Sequence, residues 1–125
     1  MRVLHDTHLL LWVLKEPSSK ASAVLRRRID NAEVFVSAAS IWEISIKTAL
    51  GKLKADPNEV LEAIEPAGFS MLAITGLHAA KVAALAAVHS DPFDRMLVAQ
   101  ALVEPMILLT NDRALAGYGS AVSVA

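Results

Sequence analysis

Short apolar runs alternate with helix-patterned segments along this whole chain, and a parallel sheet covered by helices is the architecture that accepts such alternation. The apolar runs are Arg2 to Asp6, Val34 to Val36, Phe69 to Ile74 and Met106 to Thr110, with a further candidate at Ala121 to Val124. Between them lie helical stretches: Thr7 to Leu14, a second from a Ser18 or Ser19 cap through about Ile29, Ser37 to Lys47, Asp56-Pro57 to about Glu65, Gly76 to Val88, Asp91-Pro92 to Val103, and a short one at Arg113 to Ala116. Asp-Pro at a helix start places a capping acid before a proline whose missing N–H costs nothing there. The reading is an α/β domain: a central parallel sheet of four to five strands, right-handed crossovers, and helices on both faces. With 125 residues the chain makes one domain, 1–125. Its apolar content, 54%, is mostly Ala, Leu, Val and Ile with only 5% aromatic, as strands buried on both faces require.

Composition also removes function classes. No cysteine is present, which excludes disulfides, zinc-thiolate sites and thiol nucleophiles, and permits a reducing compartment. A cytoplasmic location is the expectation. No uncharged apolar run approaches the roughly 20 residues of a membrane span, and the Leu9 to Leu14 run lacks the flanks of a signal peptide, so no membrane partner is expected. A net charge of −1 gives no general attraction to polyanions. The Arg26-Arg27-Arg28 run reads as a solvated helix face. Any nucleic acid would be held by local features.

The acids stand out. Counting by helical spacing, Ala39, Trp42, Ile46, Ala49, Leu50 and Leu53 form an apolar stripe with Glu43 inside it. A carboxylate facing inward needs a cation, hydrogen bonds or a raised pKa. The alternative is an i,i+4 pair with Lys47 at the stripe's edge. In an open parallel sheet, ligands bind at the C-terminal ends of the strands. Asp6 ends the first strand, Asp112 follows the fourth, Asp94 opens the helix feeding the fourth, and Glu43 lies within two turns of the second, so four acids from four segments gather on one edge. Each of the three aspartates also fits a capping role: Asp6 and Asp112 as N-caps, Asp94 as a first-turn acid beneath the Asp91 cap. Asp91 itself is read most readily as a cap, with a supporting or substrate-contacting role left open. The four histidines lack i,i+4 metal spacing and are read as surface or packing residues, with His8 as a substrate-contact candidate. Trp12 and Trp42 are read as core.

These residues carry a resemblance. Val-Leu-His-Asp6-Thr7-His8 with Leu-Leu-Leu-Trp12, Val-Ser-Ala-Ala-Ser40-Ile-Trp42-Glu43-Ile with Lys47 and Gly51-Lys52-Leu53 beyond, Asp91-Pro92-Phe93-Asp94-Arg95-Met-Leu-Val-Ala99-Gln100-Ala, and Leu-Leu-Thr110-Asn111-Asp112 together resemble a PIN-domain protein of the VapC toxin type, in order and over nearly the whole chain. The resemblance implies a PIN-like three-layer α/β/α domain, and a Mg²⁺- or Mn²⁺-dependent endoribonuclease that is the toxin of a type II toxin-antitoxin pair. Its acidic quartet falls on Asp6, Glu43, Asp94 and Asp112, as metal-holding and catalytic residues. Thr7 and Asn111 fall beside two of those acids as supporting or phosphate-positioning groups. A small antitoxin, whose C-terminal segment blocks the site, is the implied partner.

The chemistry expected of such a cluster is polarisation of a phosphodiester and activation of a water, with RNA as substrate and no covalent intermediate. Arg95, Arg113, Lys47 and Lys52 would supply local positive charge. A mean hydropathy of +0.44 points to an apolar surface covered by a homodimer contact, an antitoxin, or both, with the outer faces of the Ser19 to Ile29 and Asp56 to Glu65 helices as candidates. Two other readings stay open: a non-catalytic α/β binding module whose acids only cap helices, and a phosphatase-like hydrolase. The second wants an acid two residues after Asp6, where this chain has His8.

Overall fold

A computed structural model describes residues 1–16, 18–28 and 30–125, and the side chains of Ala21, Val24 and Arg28 also lie outside the description. The strands are β1 (Arg2–His5), β2 (Glu33–Ser37), β3 (Ser70–Leu72), β4 (Ile107–Thr110) and β5 (Val122–Val124). The α-helices are α1 (Thr7–Lys15), α2 (Lys20–Arg28), α3 (Ala38–Ala49), α4 (Pro57–Ile64), α5 (Gly76–Lys81) and α6 (Pro92–Val103), with short 3₁₀ turns at Val82–Ala84 and Arg113–Tyr118. All neighbouring strands are parallel, in the order β3-β2-β1-β4-β5. β1 is therefore central, and the winding reverses between β1 and β4. A crevice over the C-terminal ends at such a reversal is where open parallel sheets bind ligands.

Register decides which side chains meet which layer. Leu4 pairs with Phe35 and Leu108, and this face packs on Leu97, Val98 and Ala101 of α6 and on Leu115. Val3, Val34 and Leu109 point the other way, onto Leu9 and Val13 of α1 and Leu25 of α2, while Val36 meets Leu10, Ile44 and the α4 residues Val60 and Ile64. This is the three-layer α/β/α arrangement expected from the sequence, with five strands. α3 belongs to neither layer alone. It gives Ala39 to one core cluster and Ile44 to the other, and it touches α1, α4 and α6, so it lies across the C-terminal end of the sheet.

That placement corrects the helical stripe. The buried face of α3 is Ala39, Ser40, Glu43 and Ile44, whereas Trp42 is 59% and Leu50 63% exposed. A helix across a sheet end is covered by three neighbours, so its inward face is not the one that would serve a helix lying flat. Trp42 is consequently not core, contrary to expectation, and packs edge-on against Phe93 with ring centroids 5.1 Å apart. Trp12, half-buried against the α1–α2 cluster, is core as expected.

The Gly76 to Val88 segment also departs from the single helix expected of it. α5 ends at Lys81, and after the 3₁₀ turn the chain runs irregularly to α6, its alanines exposed. α5 is anchored by buried His78, whose Nδ1 accepts the Thr75 N–H at 3.0 Å, leaving Nε2 to donate to the Glu104 carboxylate at 2.6 Å. Beyond it, the Arg95 guanidinium captures three carbonyls, of Val82, Ala86 and His89, at 3.0, 3.0 and 3.3 Å, and contacts the Tyr118 hydroxyl at 3.1 Å. Carbonyls drawn to a charged donor are lost to helix propagation. The close approach of Gly117 fits the same segment in place, since a Cβ there would stand 2.6 Å from Val88 Cγ1. Ile29, Pro17 and the Arg28 side chain, which the sequence reading invoked, lie outside the described residues; Arg26 and Arg27 are exposed.

Arg95→Ala should therefore destabilise the protein by about 1.5–3 kcal/mol, the range for hydrogen bonds to a charged donor. Urea midpoints measure it, and an unchanged midpoint would show that the 82–90 segment is held by other contacts.

Candidate functional site

Asp6 is fixed by the backbone on both sides of the sheet reversal. Its N–H continues the ladder to the Leu109 carbonyl at 3.0 Å, its Oδ1 caps α1 by accepting the Leu9 N–H at 2.8 Å, and its Oδ2 accepts the Thr110 hydroxyl at 2.5 Å. Thr110, the buried last residue of β4, also accepts the N–H of Asp112 at 3.0 Å, which ties the fourth acid to the first. Asp112 spends one oxygen capping the 3₁₀ turn through Ala114 N–H at 3.0 Å. A carboxylate oxygen with one acceptor site used retains another. The capping role expected of Asp6 and Asp112 is thus real and leaves both able to ligate.

Glu43 comes down from α3 onto this edge. It is 4% exposed, its Oε2 accepts from Lys47 Nζ at 2.5 Å, and its Oε1 is buried without a partner among the described residues. Both readings of Glu43 therefore hold together: it faces inward and it pairs with Lys47. Thr7, one residue after Asp6, donates its hydroxyl to Ser40 Oγ at 2.9 Å, so α1 and α3 are fastened where they carry their acids. Asn111 is exposed beside Asp112. Asp94 sits in the first turn of α6 under the Asp91 cap, whose Oδ1 accepts from Phe93 and Asp94 N–H at 2.8 and 3.0 Å. Asp91 is a cap, as read from the sequence.

Electrostatics show that the acids feel one another. Burial raises the Asp6 carboxyl above its usual range against the pull of Thr110, Leu9 and His8, and the Glu43 charge raises it further. Asp94 is pushed up to about 6, by burial first, then by the charge of Asp91, with Glu43 adding and His89 opposing. The Lys47 ammonium is raised, chiefly by its hydrogen bond to Glu43. His5, buried next to Asp6 with neither ring nitrogen paired among the described residues, is lowered to about 4 by burial and packs edge-on to Phe69. It is a neutral packing residue. A cluster of acids in which Asp6 and Asp94 are held above the usual carboxylate range, and in which Glu43 keeps a buried oxygen without a partner among the described residues, fits a hard divalent cation by donor type and by charge.

Two features escaped the sequence reading. His89 places Nε2 3.0 Å from Asp94 Oδ2, and His89, Asp94 and Asp112 each offer a ligand atom within 4.8 Å of the others. The i,i+5 spacing across a cap matches no helical metal pattern, so only the irregular turn reveals it. Thr110 stood in the sequence as an ordinary strand end; a hydroxyl just before Asn-Asp was the available signal. Arg95 has a different task from the nucleic-acid contact expected of it, its guanidinium being engaged by carbonyls and Tyr118.

The chain's likeness to known proteins agrees with this architecture. No curated protein sequence matches it. Solved structures that share its fold include VapBC2 from Rickettsia felis bound to a DNA fragment from its promoter (TM-score 0.74, 13% identity, 100% of this chain and 98% of that one), DNA-bound VapBC from Salmonella typhimurium (0.69, 14%, 100% and 97%), and VapBC-1 from nontypeable Haemophilus influenzae (0.67, 15%, 99% and 98%). The PIN domain model matches residues 3–120, and the chain belongs to the PIN domain family.

Proposed function

We propose that this protein is a divalent-metal-dependent endoribonuclease of the VapC type, the toxin half of a toxin-antitoxin pair. What supports the reading, in a PIN-family chain, is that the Glu43 charge acts on both Asp6 and Asp94, that Asp94 and Asp112 offer ligand atoms within 4.8 Å of each other, and that Thr110 ties Asp112 to Asp6. These four carboxylates would hold Mg²⁺ or Mn²⁺. When bound, the cation supplies charge neutralisation and Lewis-acid polarisation of a phosphodiester. The chain's own part is to fix the acids rigidly, through the Thr110 and Thr7–Ser40 hydrogen bonds, and to offer carboxylates as proton acceptors for the attacking water.

The acidic edge repels RNA until a cation neutralises it, so binding and cleavage both require metal. Four acids leave few groups for reading a long sequence, and unpaired bases are the accessible ones, so the substrate is a loop or single-stranded stretch of a structured RNA. Lys52 and Arg113, both exposed, would supply positive charge for its phosphates. Likeness to VapBC complexes supports a small antitoxin as partner, and exposed Trp42, Leu61, Met71 and Leu77 support an apolar contact with it or with a second copy. Light scattering at high concentration tests the homodimer, which a strictly monomeric protein would eliminate.

Glu43→Gln should lower Mn²⁺-dependent cleavage of total RNA by at least about 100-fold, the upper end of what losses outside the ligand shell cost. The apo fold should survive, because the amide still accepts from Lys47 and removes a like charge. Retained cleavage would remove Glu43 from the site, and cleavage that persists in chelator would remove the metal.

The pKa of Asp94 sets a pH signature in metal-free protein. Because its folded value is about 6 against 3.8 for an ordinary aspartate, the native state holds the proton over that window and the unfolded state does not. Stability from this group is therefore complete at low pH and lost as pH rises through about 6. Asp94→Asn should melt higher than wild type above that pH, by about 1–2 kcal/mol, and lose the advantage near pH 4. A difference independent of pH would mean that Asp94 is not strained.

A further inference from the structure

We propose that His89 is a nitrogen ligand of the same metal centre, binding beside Asp94 and Asp112 and biasing the site toward Mn²⁺ over Mg²⁺. The inference rests on the metal-dependent reading above and adds a residue from outside the acidic quartet. Two ligands on opposite sides of one ion at about 2.1 Å lie roughly 4 Å apart. The His89, Asp94 and Asp112 ligand atoms, all within 4.8 Å of one another, come near that spacing before any side chain moves.

The loop that carries His89 is built to hold it there. Its N–H donates to the Tyr118 hydroxyl at 3.1 Å and its carbonyl accepts from Arg95 at 3.3 Å. Arg95 follows Asp94 on α6, and Tyr118 closes the 3₁₀ turn that Asp112 caps, so the elements pinning the His89 backbone are the ones presenting its two companions. Glu43 supplies an independent observation. Its Oε1 is buried and without a partner among the described residues, and its charge is near enough to raise the Asp94 carboxyl, so a further unsatisfied carboxylate oxygen acts on the same edge as the triad.

Chemistry then selects the ion. Mg²⁺ takes oxygen ligands and keeps its waters, whereas imidazole suits first-row transition ions. Carboxylates with one imidazole make a mixed N/O donor set of the kind that distinguishes Mn²⁺ from Mg²⁺. The competing role for His89 is to hydrogen-bond Asp94 and no more. His89→Gln separates the two, because its side-chain amide can still donate to Asp94 while the imidazole nitrogen is gone.

The test uses the full chain, metal-free, near neutral pH. Free Mn²⁺ is followed by electron paramagnetic resonance and Mg²⁺ by competition against it, on wild type, His89→Gln and His89→Asn. The His89 side chain is 24% exposed and its loop is held by backbone contacts, so the variants should fold, which their metal-free melting temperatures check. His89→Gln is expected to weaken Mn²⁺ at least about tenfold and Mg²⁺ less than about twofold, collapsing the preference. Unchanged Mn²⁺ affinity, or equal losses for both ions, would overturn the ligand role and leave the acidic metal site standing. A wild-type protein that binds neither ion would overturn the metal-dependent reading and this inference with it.

Discussion

The carboxylate of Asp6 joins more of this molecule than any hydrophobic contact does. Through its backbone N–H it extends the β1–β4 ladder, through Oδ1 it starts α1, and through Oδ2 and Thr110 it reaches the turn that carries Asp112. A carboxylate with that many donors would ordinarily be a stronger acid than a free aspartate. Instead its pKa is raised, so burial together with the Glu43 charge outweighs the donors. The direction of that contest identifies the edge as a place where negative charge is concentrated against its electrostatic preference.

Such concentration costs stability, and the fold carries it because the sheet is covered on both faces. Leu4 and Leu108 on one side, and Val3, Val34 and Leu109 on the other, are all buried, each contributing about 1.5–3 kcal/mol by removal from water. Against that reserve, one Asp held about two pKa units high is a tolerable loss. Lys47 neutralises only the Oε2 side of Glu43, and Oε1, without a partner among the described residues, is left uncompensated by them. A site strained in its metal-free form gains the most from a cation, which is the usual relation between stability and function at such clusters.

The strands and the caps were legible in the sequence because each is written locally. Asp56, Asp91 and Asp112 hydrogen-bond N–H groups two residues ahead, and Asp6 three, so spacing alone announces them. What the sequence concealed depends on tertiary placement. The face that α3 buries follows from its position across the sheet end, which put Trp42 in solvent and Ser40 inside. The 76–88 segment has helical composition, yet Arg95, seven or more residues away in sequence, diverts its carbonyls. His89 meets Asp94 through the irregular turn that those contacts hold.

The double use of Asp6 and Asp112 also explains how an architecture of this kind persists in chains sharing few identical residues. A core tolerates exchange among apolar side chains of similar volume, so its sequence drifts freely. A metal site tolerates much less. Here, however, the two acids at the strand ends are oriented by main-chain N–H groups of Leu9 and Ala114, donors that exist whatever side chains those positions carry. Backbone geometry at the sheet reversal thus specifies where these carboxylates point, and the surrounding side chains are left to settle packing.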